Sequence, residues 1–75
     1  MRPTSQQHNA FLSGEELPGI SLRLNDPVRV VGGQYSGKEG AVISVEMLGS
    51  DPTYLVEFNS GEEALIPQSF LAVME

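Results

Sequence analysis

Two valine-rich runs, Val28-Arg29-Val30-Val31 and Gly40-Ala41-Val42-Ile43-Ser44-Val45-Glu46-Met47, are separated by Gly32-Gly33-Gln34-Tyr35-Ser36-Gly37-Lys38-Glu39. No other feature constrains the fold as tightly. β-branched residues at a spacing of two favour extended chain. Gly33, Gly37 and Gly40 supply positive φ or close backbone approach without a Cβ penalty. A strand therefore ends near Val31, crosses a loop and re-enters the sheet at Gly40, where a bulge or sharp bend aims the chain around a corner.

The same texture continues to the C-terminal end. Gly49-Ser50-Asp51-Pro52 is a turn cluster, and Thr53-Tyr54-Leu55-Val56-Glu57-Phe58 reads as a third strand with Tyr54, Val56 and Phe58 on one face. Asn59-Ser60-Gly61 is a tight hairpin signal. Glu62-Glu63-Ala64-Leu65-Ile66 reads as a fourth strand, Pro67-Gln68-Ser69-Phe70 as a single 3₁₀ turn and Leu71-Ala72-Val73 as a short fifth strand. These strands predict an all-β, five-stranded, partly closed barrel, because closure pairs the edges that a lone hairpin leaves open. Strand parity predicts a core of Val28, Val30, Ala41, Ile43, Val45, Tyr54, Val56, Phe58, Ala64, Ile66, Phe70, Leu71 and Val73, with Leu22, Leu24 and Leu65 capping the ends. No amphipathic stretch is long enough for a stable α-helix.

Residues 1–19 differ in texture and predict a flexible arm preceding a barrel of residues 20–75. Gln6, Gln7, His8 and Asn9 sustain no period. Ser13 and Glu16 have the form of a capping box, but Pro18 stops any helix almost at once. Phe11, Leu12, Leu17 and Ile20 are free to dock on the domain or on a partner, although a frayed terminus is the simpler expectation. Met1 and the final Val73-Met74-Glu75 are compatible with a complete small chain. The N-terminus has no apolar h-region, which argues against a signal peptide.

Composition narrows the function. Ten Asp/Glu against four Lys/Arg leave the 75 residues at a net charge of -6. Nucleic-acid affinity comes largely from cations that neutralise phosphates, so a broad basic surface is excluded and sequence-specific DNA binding is not expected. An anionic membrane surface is equally ill matched, and no apolar run approaches membrane-spanning length. The chain has no cysteine. That excludes disulfides and thiolate metal sites and fits a reducing compartment, so a cytoplasmic location is expected.

The glycine-rich loop nearly matches a phosphate-binding P-loop: Gly32 follows a strand, and Gly37 and Lys38 come after the right gap. The chemistry fails at Glu39, a carboxylate where a Ser or Thr hydroxyl should meet magnesium, and at Gly40-Ala41-Val42-Ile43, a strand where a helix should present its amides. A nucleotide site is rejected, and no cofactor is expected.

Asp26, Val28, Val30, Gly33, Gly37, Lys38, Gly40, Val42 and Val45 resemble the KOW motif of a large-subunit ribosomal protein and of NusG-type transcription elongation factors. The spacing matches without a gap from Asn25 through Val45. The strands from Thr53 to Val73 fit the SH3-like barrel in which such motifs sit. The resemblance implies a non-catalytic platform that binds RNA or proteins of the transcription and translation machinery through this loop. Carried onto this sequence, the contact set is Arg29, Gly33, Gln34, Tyr35, Ser36, Gly37 and Lys38. Ser36 and Glu39 stand where RNA-binding members carry basic residues, so a protein partner is favoured over RNA. The alternatives are an RNA- or ribosome-binding KOW domain and a small accessory subunit of a metabolic enzyme complex.

Individual side chains carry further expectations. Tyr35 either stacks on a partner or folds over the barrel end. Arg29 alternates out of step with Val28 and Val30 and is expected to pair across the sheet with Glu46 or Glu57. Asp51, Glu57, Glu62 and Glu63 are candidates for an acidic patch facing a basic partner. Glu62 and Glu63 point to opposite faces and cannot form an acid/base dyad. His8, the only histidine, is expected to be solvated, with no second ligand for a metal and no support for a catalytic triad. The chain is therefore read as a monomeric binding module and not an enzyme.

Overall fold

Both valine-rich runs form strands. The computed structural model describes residues 1–74; Glu75 lies outside the described residues. In chain order the elements are α1 (Ser5–Leu12), β1 (Pro27–Val30), β2 (Glu39–Met47), β3 (Thr53–Phe58), β4 (Glu63–Pro67), a 3₁₀ turn (Gln68–Phe70) and β5 (Leu71–Val73). The strands make one antiparallel sheet of order β4-β3-β2-β1-β5.

The sheet is not closed into a barrel, because β4 and β5 do not pair with each other. It must nonetheless curl. In a flat sheet its two edges would stand about 19 Å apart. The 3₁₀ turn that joins them rises only about 2 Å per residue. Asp51 fixes that turn by accepting from the Ser69 backbone N–H at 2.9 Å and the Ser69 hydroxyl at 2.7 Å.

The inward face carries Val28 and Val30 from β1, Val42 and Val45 from β2, Tyr54, Val56 and Phe58 from β3, and Ala64 and Ile66 from β4. Strand parity had placed Ala41 and Ile43 inside; both are only half-buried, and Val42 is fully buried instead. The cause is a β-bulge. Val42 pairs with Val56 but Ser44 with Leu55, so Ile43 is an extra residue in β2 that swaps the faces before and after it. A second irregularity lies between Val45 and Met47. Three further residues assigned to the core or its caps lie outside it: Phe70, Val73 and Leu65 are exposed. Val73 lies on an edge strand of the sheet, and Phe70 belongs to the 3₁₀ turn, where its ring lies over Gly32 and Gly33 instead of entering the core.

The N-terminal segment also departs from expectation. It is a helix rather than an arm, and Phe11 is 2% exposed within the same core. The capping box is Thr4 with Gln7, not Ser13 with Glu16: the Gln7 N–H donates to Thr4 Oγ1 at 3.1 Å, and the Thr4 N–H to Gln7 Oε1 at 2.8 Å. Ser13 is instead the C-cap, and Gly14 at φ +81° takes the left-handed position after it. The Gly14 N–H returns to the Phe11 carbonyl and the Glu15 N–H to that of Ala10, closing a Schellman motif. Two turns are too short to persist alone, so docking of Phe11 onto Tyr54, with ring centroids 6.2 Å apart, supplies the rest. The radius of gyration, 11.4 Å, matches the about 11 Å of a fully packed chain of this length.

Tyr54 is completely buried. Its hydroxyl donates to Gln68 Oε1, which also accepts the Ser21 N–H at 3.1 Å. Burial pushes the Tyr54 phenol above the ordinary tyrosine range, and the nearby carboxylates Asp26 and Asp51 add to the rise against backbone hydrogen bonds that lower it.

Candidate functional site

The loop between β1 and β2 closes on Val30. The Gly37 N–H donates to the Val30 carbonyl at 2.7 Å, and the Val30 N–H to the Lys38 carbonyl at 2.8 Å. Inside that closure the Ser36 N–H reaches the Gly33 carbonyl at 3.2 Å, and the Lys38 N–H that of Tyr35 at 3.0 Å. Gly33 and Gly37 have φ of +77° and +94°, conformations that charge any other L-residue a steric cost. Strand β2 begins directly after Lys38, so no helix N-terminus faces the loop.

Of the seven candidates, six lie in the loop and Arg29 on β1. Gln34 and Ser36 are exposed tips, together with Gly33 and Gly37. Tyr35 turns the other way: it is half-buried against Phe58, with ring centroids 5.4 Å apart, and covers the end of the core. Lys38 Nζ stands 5.5 Å from the Phe58 ring centre and 3.6 Å from Glu62 Oε1. Arg29 is exposed, but its guanidinium donates from Nε at 2.9 Å and from a terminal nitrogen to Glu39 Oε2. That partner corrects the expected Glu46 or Glu57. Arg29 and Glu39 are directly opposed in the β1–β2 ladder, whereas Glu57 lies across β2 on β3.

Both cations of the candidate site are thus engaged by carboxylates of the same chain. Arg23 is engaged as well, 2.9 Å from Glu16. An RNA strand would have to compete for them.

Sequence reasoning missed the apolar half of the site. Phe70, read as core, lies over the Gly32-Gly33 backbone: a Cβ on Gly32 would stand 3.0 Å from Phe70 Cδ1, and one on Gly33 3.0 Å from Cε2. Val31 is 55% exposed and its N–H donates to the Phe70 carbonyl at 2.8 Å. The legible signal was the glycine pair itself, since two adjacent residues without side chains leave a flat bed for a ring. Beside the loop, Gly37, Lys38, Glu39, Phe58, Asn59 and Ser60 line a shallow cleft of about 230 Å³, below the roughly 300 Å³ at which ligand pockets begin.

The other expectations resolve individually. Glu57 and Glu63 oppose one another across β3 and β4, and Glu62 adjoins them, but Asp51 is at the far end of β3 on Ser69. His8 is half-buried rather than solvated, with Nε2 3.8 Å from Glu46 Oε2 and no hydrogen-bond partner. Among the described residues no three His, Asp or Glu side chains gather to hold a metal ion, and no helix is long and apolar enough to cross a membrane.

No protein-family model matches this chain, and no curated protein or solved structure is detectably similar to it.

Proposed function

We propose that this protein is a non-catalytic binding module of the SH3-like, KOW-type class, which docks through its glycine-rich loop on a protein surface of a larger assembly. The KOW resemblance suggests an assembly of the transcription or translation machinery. The class reading is supported by the strand order, in which β5 returns past three strands to lie beside β1, and by the 3₁₀ turn before it. One observation carries the choice of a protein partner over RNA: the loop's cations are paired internally, while Val31 and Phe70 stay exposed beside the polar tips of Gln34 and Ser36. An apolar centre with a polar rim is the make-up of a protein interface.

Replacing Gln34 with a photo-crosslinking amino acid and irradiating in cells tests this. Adducts to a discrete protein that survive nuclease treatment are expected. Adducts dominated by nucleic acid would replace the proposal with the RNA-binding reading.

A further inference from the structure

The outer edge of β4 is an unfilled backbone ladder. The Phe58 N–H donates to the Glu62 carbonyl at 2.7 Å, which sets the alternation along the hairpin. Val56 and Tyr54 then bond Ala64 and Ile66, so the N–H and C=O groups of Glu63 and Leu65 point away from β3. No backbone hydrogen bond from another part of the described chain reaches these four groups. Proteins commonly blunt such an edge with lysine, proline or a bulge. Here Pro67 ends the strand, but the free stretch carries neither lysine nor bulge.

Side chains on the same face define what would fit. Leu65 is 59% exposed and sits directly opposite Leu55. Glu63 sits directly opposite Glu57, a like-charge cross-strand pair that opposes folding. Among the described residues neither has a cation within ion-pair distance. The next carboxylate, Glu62, has Lys38. A second copy of the chain would bring the same net charge of -6 and no cation to meet Glu63. A cationic strand would be attracted and would relieve the pair.

We infer that β4 accepts an added strand from a basic partner: an extended, antiparallel segment with an apolar residue opposite Leu65 and Lys or Arg two residues later, opposite Glu63. Backbone bonds would supply affinity and the two side-chain positions selectivity. This surface is separate from the β1–β2 loop and does not depend on the loop's role.

The probe is the blocked octapeptide Thr-Lys-Thr-Ile-Thr-Lys-Thr-Lys, with a control in which each Lys is Glu. ¹⁵N-labelled protein is titrated at about 20 mM salt, where charge pairing is barely screened. Saturable shifts confined to residues 62–66, with amide exchange at Glu63 and Leu65 slowed about tenfold, are expected for the lysine peptide only. The Glu63→Lys variant, at an exposed position and with its fold checked by an unchanged spectrum elsewhere, should weaken binding at least tenfold. Equal binding of the glutamate peptide, shifts confined to the 33–38 loop, or no saturation at millimolar peptide would overturn the inference. So would concentration-dependent protection of the same amides without peptide, which would identify a second copy as the occupant.

Discussion

Gly40 and Glu57 approach so closely across the β2–β3 ladder that a Cβ on Gly40 would stand 2.1 Å from the Glu57 carbonyl oxygen, and 2.7 Å from the Phe58 Cα. Both obstacles are backbone and cannot rotate aside. Gly40→Ala must therefore part β2 from β3, at a cost of about 3 kcal/mol, a large share of the roughly 5 kcal/mol such a small domain holds. Gly32→Ala is the control. The nearest atoms its Cβ would meet belong to the ring of Phe70, 39% exposed and able to swing out. Urea midpoints should fall steeply for the first and little for the second.

Helix α1 should behave as part of the cooperative unit. Phe11→Ala empties a buried site and should cost about 3 kcal/mol. Thr4→Ala removes the cap and should cost about 1 kcal/mol. For a flexible arm both values would be near zero. Equilibrium unfolding of the two variants, compared with the parent protein, decides between the two pictures.

What the sequence disclosed, and what it hid, follows from range. Turns announce themselves locally, so the five strands, the 3₁₀ turn and the Asn59-Ser60-Gly61 hairpin were legible. The bulge at Ile43 was not, because nothing in Gly40-Ala41-Val42-Ile43-Ser44 says which residue lacks a partner; β3 decides that. Helix α1 had its signals in Thr4, Gln7, Ser13 and Gly14, but they are spread around a segment with weak apolar periodicity, and only burial of Phe11 makes them count. At the site, the loop's position was legible from its glycines. The orientation of Tyr35, the partner of Arg29 and the seat of Phe70 depend on residues that are distant in sequence.

Stability should fall at alkaline pH through Tyr54. Its folded phenol titrates above the unfolded value of about 10, mainly because burial disfavours the phenolate. Below about pH 10 both states are protonated and the contribution is complete. Above it the unfolded chain loses the proton first, so stability declines until the folded phenol also ionises. Tyr54→Phe should flatten this limb above about pH 10 in urea titrations, whatever its effect at neutral pH. An unchanged slope would mean that another group controls alkaline unfolding.

The paired loop cations give the most discriminating test of partner class. Arg29 is held by Glu39 and Lys38 by Glu62, in surface pairs that stabilise by at most about 1 kcal/mol each. A Glu39→Gln, Glu62→Gln double variant should therefore stay folded while freeing both cations. The parent protein should show no loop shifts with single-stranded RNA at about 20 mM salt, because its cations are already neutralised. The double variant should bind weakly, and its log K should fall with log salt at a slope of about -1.4, two phosphates' worth for a single strand. If the parent already binds RNA with that slope, the ion pairs open at little cost. The loop is then a nucleic-acid site that its carboxylates only restrain, and the protein partner proposed for Val31 and Phe70 loses its main support.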